Sequence, residues 1–403
     1  MVFVGVTRFS LYKPDSEAWK SSRPGSFSSP EEYKRYLFSP ERLDPRMRIL
    51  SEISIPLLET ASRNHTLRHI IQFSPELPSP YMDRLRTLEL TYPFIILADS
   101  SDTTGSAHPY RVANSLNPDQ APYVIYRLDD DDFLSTSFFD QLVPHVTEAN
   151  LGYRISLAAG LTGVFDGTRF SSIRYSYQPY IAIGLAGIYG KNPQGEFIAP
   201  PEVAHNQADK YGTVIVNAQE CSYFWTRHAG QDTDFGTDDG FEVVRREVSM
   251  KPPVPSHWDV FSSFPSLAGA AEEFESASLL EETQVPLEGT TMHLHAEGRF
   301  NLRLEATFPE GMQSNSGLFS FTLRDSHGDL VKNAEVRGMT CSPSSLIGMY
   351  RYITTYPGTR AAELEFELPP GIHVERVTLM PFGANAKPFT VHSLTVMQSL
   401  NCE

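Results

Sequence analysis

YVIYRLDDDDFLSTSFFDQL, residues 123–142, sets four consecutive aspartates directly after a run of β-forming residues. Adjacent like charges repel, and a carboxylate near a core loses hydration, so the run needs a neutralising partner. Val124 to Leu128 has the composition of a buried strand, and Ser135 stands where it can cap a helix carrying Phe138, Phe139 and Leu142. An acidic run by itself is compatible with a solvated loop or a helix N-terminus. A calcium loop spreads its carboxylates along a longer turn with a glycine, which this stretch does not do. The strand upstream makes the first aspartate part of a sheet edge.

The flanking sequence supplies the rest of the sheet. Val2 to Phe9, His69 to Phe73 and Phe94 to Ala98 are short apolar strands, and Arg46 to Ala61 and Tyr81 to Leu90 have helical spacing between them. Strands separated by helices predict a parallel α/β sheet, which binds ligands at the carboxyl ends of its strands. Residues 151–250 hold two Gly-punctuated apolar segments, YRISLAAGLTGVF and YIAIGLAGIYG, then a short helix at His205 to Tyr211 and the strand TVIV. From Ser249 to about Glu281 the chain turns Pro-, Ser- and Ala-rich, and after residue 282 the pattern becomes period two, as in LRLEATF, LFSFTLRD and AELEFELP. That alternation predicts an antiparallel β-sandwich. The expected organisation is a first domain over 1–248, a linker or bracing segment over 249–281, and a jelly-roll-like β-sandwich over 282–403.

Composition narrows the function. The 403 residues carry 33 Lys+Arg against 49 Asp+Glu, a formal net charge of −16, which supplies no broad phosphate-neutralising field for nucleic acid. A nucleotide needs only a local pocket. The 3 cysteines, Cys221, Cys341 and Cys402, make neither a disulfide framework nor a zinc spacing, so a reducing compartment is expected. MVFVGVTRFSLYKPD lacks the form of a signal peptide, and no stretch approaches the roughly 20 apolar residues of a membrane span. The expectation is a cytoplasmic protein, peripheral at most at the inner membrane face.

A strand ending in carboxylates suits a DxD-type motif. A departing pyrophosphate needs charge compensation, which Mg²⁺ or Mn²⁺ bridging its phosphates supplies. Residues i and i+2 of an extended stretch point the same way, so Asp129 and Asp131 form the pair, with Asp132 beside them and Asp130 pointing away. VTRFS at 6–10, RLDDDD at 127–132 and FWTRH at 224–228 together resemble the "putative rhamnosyltransferase" family, over roughly residues 1–245. That family is a bacterial group of glycosyltransferases with the GT-A nucleotide-diphospho-sugar transferase fold.

The resemblance implies roles. Asp129 corresponds to the Asp that contacts the ribose or a metal-bound water, Asp131 to the metal-coordinating Asp, and His228 to the late histidine completing the metal site. Imidazole suits Mn²⁺. Asp130 is taken with the donor-binding residues. For the general base, counting back from Gly212 through PEVAHNQADKYG puts Glu202 first and His205, one turn later, second; the family's usual Glu-Asp pair is absent. Thr7 and Arg8 follow strand one, where Arg8 can pair with the nucleotide or diphosphate; Asp99 can accept from the base, and Arg127 can neutralise the aspartates. The implied donor is a UDP- or dTDP-linked sugar, and the implied acceptor a hydroxyl of a surface polysaccharide or cell-wall glycan, with inversion at the anomeric carbon.

Two other classes compete with this reading. A non-catalytic carbohydrate-binding protein would use aromatic platforms of the C-terminal sandwich. Trp19, Trp225 and Trp258 all precede residue 282, leaving Tyr350, Tyr352 and Tyr356 for that role, while Phe319 and Phe321 read as core. Dimerisation or bracing ranks ahead of glycan binding for this domain. A nucleotidyltransferase would want a Gly-rich, basic loop after strand one, and an aspartyl phosphatase an Asp there; the chain has TRFSLYKPD.

Overall fold

The computed structural model describes residues 1–14, 22–23, 25–228, 231, 240–344 and 347–400. Trp19 and Cys402 lie outside the described residues. The chain divides into two units, Met1–Val248 with Val254–Ala271, and Ser249–Pro253 with Glu272–Glu403. The stretch 249–281, expected as a linker, is therefore shared between them. Phe264, Leu267 and Ala271 are buried in a core cluster of the first unit with Phe133, Phe170 and Phe224. The Ala270 carbonyl accepts from the Phe170 N–H at 2.7 Å, and the Ser263 carbonyl from the Thr136 N–H at 3.0 Å.

The first unit is mixed α/β. Its strands are β1 (Val2–Phe9), β2 (Thr66–Phe73), β3 (Ile95–Asp99), β4 (Tyr123–Asp129), β5 (Phe133–Leu134), β6 (Arg154–Leu157), β7 (Ala159–Phe165), β8 (Phe170–Tyr177), β9 (Ala186–Lys191), β10 (Phe197–Ile198), β11 (Val214–Asn217) and β12 (Tyr223–Arg227). The main sheet has the order β11-β6-β9-β4-β1-β2-β3, with β10 on β9. β1 runs parallel to both β2 and β4, and β2 to β3, whereas β9 enters antiparallel between β4 and β6. The runs VFVGV, HII and YVIY are continuous because both faces of this sheet are covered. Leu43, Met47, Leu58 and Leu85 pack on one face; Val112 and Ala113 pack on the other. A second sheet has the order β5-β12-β7-β8, with β12 antiparallel to β5 and parallel to β7.

The helix expected from Arg46 starts earlier and is broken. α1 (Pro30–Leu37) precedes α2 (Pro40–Arg48), each with a proline at its start, and α2 passes into a π-helical turn over Ile49–Ser54 before α3 (Ile55–Ala61). Pro56 has no N–H to give to the preceding turn, and the Ile55 N–H reaches five residues back to Leu50. The helix after the aspartates, Phe138–Leu142, starts from Ser137 and not from Ser135, whose carbonyl accepts from the Phe138 N–H.

Thr7 is wholly buried beneath β4. Its hydroxyl donates to the Leu128 carbonyl at 2.9 Å and lies 2.9 Å from His69 Nε2, while His69 Nδ1 lies 3.0 Å from the Tyr126 hydroxyl. This chain of bonds is satisfied by a neutral imidazole that donates from Nε2 and accepts at Nδ1. Gly5 sits under it, where a Cβ would stand 2.1 Å from His69 Nδ1. Burial pushes the His69 pKa from 6.5 down to about 3. The folded state thus refuses a proton that the unfolded chain takes up below pH 6.5, so stability present above that pH is lost as pH falls toward 3. Between pH 7.5 and pH 5 this amounts to about 2 kcal/mol. His69→Gln, which keeps a donor and an acceptor, is expected to remove that increment from the acid side of the urea-unfolding profile. An unchanged pH profile would refute it.

The second unit is β-rich, with two antiparallel sheets. One orders β13 (Phe274–Val285), β22 (Phe389–Ser399), β15 (Arg299–Phe308) and β20 (Gly358–Glu367) as β13-β22-β15-β20. The other orders β14 (Thr290–Glu297), β21 (Ile372–Pro381), β16 (Gly317–Asp325), β19 (Met349–Ile353) and β18 (Thr340–Cys341) as β14-β21-β16-β19-β18, with β17 (Leu330–Val331) on β16. One buried cluster draws on both, with Phe300, Leu302, Val391 and Leu394 from the first and Phe319, Phe321, Val374 and Val377 from the second. Tyr350 and Tyr352 make an edge contact at 5.1 Å, and Tyr356 is 53% exposed. No helix among the described residues is long and apolar enough to cross a membrane.

Candidate active site at the carboxyl end of the parallel strands

Register brings the first charged groups together. Arg8 on β1 is the direct neighbour of Asp129 on β4. Arg127, two residues before Asp129 and on the same side of the strand, donates from Nε and Nη2 to Asp129 Oδ1 at 3.1 and 2.8 Å. β4 ends at Asp129, and the chain turns, with the Asp132 N–H 3.4 Å from the Asp129 carbonyl. Strand alternation stops there. Asp130 does not point away from Asp131, because both carboxylates meet one guanidinium.

That guanidinium is Arg46 of α2. Its Nη1 bonds Asp130 Oδ1, and its Nη2 lies 3.0 Å from Asp131 Oδ2. Arg42, one turn earlier on the same face, donates to Ser10 Oγ at 2.8 Å, and the Ser10 N–H donates to Asp130 Oδ2 at 3.3 Å. Ser10 adopts a φ of 47°, a left-handed conformation costly for a non-glycine residue, and it is held in the turn that aims its N–H at the carboxylate.

The last contributors arrive on β12. Because β12 pairs antiparallel with β5, which follows the aspartates, its carboxyl end runs back past them. The Thr226 N–H donates to Asp132 Oδ1 at 2.9 Å. His228 Nε2 lies 3.1 Å from Asp131 Oδ2, and Gln231 Nε2 lies 3.4 Å from the same oxygen. Asp130, Asp131, Asp132 and His228 are all buried.

Burial shifts the pKa values of these groups unequally. Burial raises the Asp130 pKa to about 6 although Arg46 opposes it. Burial, with Asp131 and Asp129 nearby, pushes the Asp132 pKa well above the usual carboxylate value. Against the same burial, Arg46 holds Asp131 below that value and ionised. Burial lowers the His228 pKa, leaving a neutral imidazole whose Nε2–H donates to Asp131.

Asp129 to Asp132 line a cavity of about 200 Å³ with Ser10 and Gln231, whereas His228 bonds Asp131 without lining it. Arg8, Arg42, Arg46 and Arg127 line it beside Asp129 to Asp132, with Leu11, Tyr33, Leu37 and Trp225 as the apolar part of the wall. Asp131 and His228 fit a divalent ion as two adjacent ligands, since metal bonds near 2.1 Å at right angles put donor atoms about 3.0 Å apart. Among the described residues no group of three His, Cys, Asp or Glu side chains is arranged for a metal. The remaining positions would fall to water and phosphate oxygens, which is how Mg²⁺ is commonly held.

Other expected residues lie elsewhere. Thr7 is committed to the His69 network and does not line the cavity. Asp99 ends β3 at the same sheet edge but caps its own turn, accepting from the Ser101 N–H at 2.8 Å. Glu202 is exposed and does not line the cavity; its charge adds to the burial that raises the pKa of nearby Tyr110. His205 Nδ1 sits 2.8 Å from the Tyr180 carbonyl. Arg42, Arg46 and Gln231 were not anticipated from the sequence. The signal for the first two is the spacing of four in RLDPR, which sets both arginines on the face that also buries Leu43 and Met47.

No curated protein matches the chain. Among solved structures, S. aureus TarS 1–349 is similar at 14% identity over 56% of this chain and 60% of that one, with a TM-score of 0.23. The inositol-1-phosphate CTP transferase from T. maritima is similar at 11% identity over 61% and 96%, with a TM-score of 0.25. A carbohydrate binding module from Cellvibrio mixtus lichenase 5A is similar at 9% identity over 30% and 85%, with a TM-score of 0.14. Likenesses this weak carry no inference about the site. The family described as "Putative rhamnosyl transferase" matches residues 2–235, more than half of the sequence, and the chain belongs to that family.

Proposed function

We propose that the first unit is a GT-A-type, DxD glycosyltransferase that moves a hexosyl or deoxyhexosyl unit from a UDP- or dTDP-linked sugar to a glycan hydroxyl. The observation that carries this reading is Asp131, bonded to His228, lining a four-arginine cavity at the carboxyl end of parallel strands. Asp131 and His228 would hold Mn²⁺ or Mg²⁺, with Asp129 facing the ribose or a bound water. Such an ion supplies charge stabilisation for the departing diphosphate. Arg8 and Arg42 attract the same anion, and the apolar wall of Leu11, Tyr33, Leu37 and Trp225 excludes water from it. The C1–O bond breaks with its electron pair going to the diphosphate, while the acceptor oxygen attacks C1 from the opposite face and passes its proton to a base. The second unit fits a β-sandwich accessory module, and the acceptor fits a surface polysaccharide or cell-wall glycan.

Calorimetric titration with UDP, dTDP and GDP, each with and without Mn²⁺, tests the reading. Metal-dependent binding of one nucleotide is expected. Binding of none with any divalent ion would remove the donor site and favour a non-catalytic carbohydrate-binding protein. Because Glu202 is exposed and lies outside the cavity lining, Glu202→Gln is expected to keep transfer within about tenfold of the parent. A roughly 100-fold loss with donor binding intact would instead make Glu202 the base.

A further inference from the structure

Asp131 Oδ2, the oxygen facing His228, is ion-paired with Arg46 Nη2 at 3.0 Å and already accepts from two donors, His228 Nε2 at 3.1 Å and Gln231 Nε2 at 3.4 Å. A carboxylate oxygen has two lone-pair directions, so these donors fill it. A divalent ion taking that oxygen must displace Arg46 and must also meet an imidazole nitrogen stripped of its proton. It would bring two positive charges against a buried guanidinium that the same carboxylates neutralise. We infer that Arg46 is the resident counter-cation of the aspartate block, and that a divalent ion binds there only together with the donor's diphosphate. This rests on the nucleotide-sugar reading and deepens it.

The diphosphate resolves the conflict because it is anionic enough for both cations. Guanidinium forks match phosphate oxygens as well as carboxylate ones, so Arg46 has an equivalent partner within the same cavity once the nucleotide is in place. Asp131 Oδ2 then becomes available to the ion. The coupling is reciprocal, so the ion raises nucleotide affinity by the factor by which the nucleotide raises ion affinity.

The test is Mn²⁺ binding to the full chain, followed by electron paramagnetic resonance, with Mn²⁺ alone and with each of UDP, dTDP and GDP. In the parent protein, Mn²⁺ alone is expected to bind at least roughly 100-fold more weakly than with the matching nucleotide. Arg46→Met is expected to bind Mn²⁺ alone roughly tenfold or more tighter than the parent, with the coupling factor falling toward one. Should Arg46→Met fail to fold, Arg46→Met with Asp130→Asn removes one charge of each sign and keeps Asp131 and His228. It carries the same expectation, with circular dichroism confirming the fold. Equal Mn²⁺ affinity in parent and variant would overturn the inference. So would a folded variant that binds no Mn²⁺ with or without nucleotide, which would make Arg46 a support for Asp131 and not its competitor. Failure of the glycosyltransferase reading looks different: no nucleotide binds the parent at all, while tighter Mn²⁺ binding in the variant still registers.

Discussion

Asp131→Asn is expected to lower kcat/KM by about 10³-fold, or about 4 kcal/mol of transition-state stabilisation, and to make nucleotide binding insensitive to Mn²⁺. The substitution preserves size and leaves Arg46 paired with Asp130, so the fold should survive. What it removes is the carboxylate that Arg46 holds below the usual range against its burial and that faces the imidazole. Steady-state kinetics with the donor identified by titration, set beside a melting curve, separates the two effects. A variant within tenfold of the parent would take the leaving group away from Asp131.

Arg46→Met should have the largest effect on stability. It strands two buried carboxylates, and breaking a buried charge pair from one side typically costs about 3–5 kcal/mol. Adding Asp130→Asn restores the balance, and the double variant is expected to recover at least about 2 kcal/mol of that loss. Urea unfolding of the parent, both single variants and the double variant yields the coupling directly. Because the chain has two units, the relevant transition is that of the first. Simple additivity of the two substitutions would mean that the guanidinium is not what compensates Asp130.

Much of the first sheet can be read in the sequence because its strands are buried on both faces and leave uninterrupted apolar runs. Val2–Phe9 is an example, whereas 299–308 in the second unit is legible through its alternation, because one face is partly solvated. The counter-charge is harder to see. PERLDPRMR is polar and proline-interrupted, and only its partners Ser10, Asp130 and Asp131, which follow β1 and β4, tell that Arg42 and Arg46 are buried. The assumption that aspartates alternate in direction fails for a similar reason: strand geometry ends at Asp129, and the turn beyond it follows the arginine. Glu202 was found by counting along the chain from Gly212, a measure that carries no information about which pocket a residue faces.

The aromatic cluster behind the aspartates has a consequence for where a minimal catalytic fragment can stop. Phe133 follows Asp132 directly, and Phe224 lies two residues before Thr226, which binds Asp132. Phe264 packs against both rings, at centroid separations of 5.5 and 5.8 Å. The matched family region ends at residue 235, some thirty residues before Phe264. A fragment cut there, or at 248, would keep every charged group of the site and lose the ring that buttresses two of its strands from behind. A fragment that keeps this aromatic support behind the carboxylates therefore runs to Ala271, beyond the matched family region.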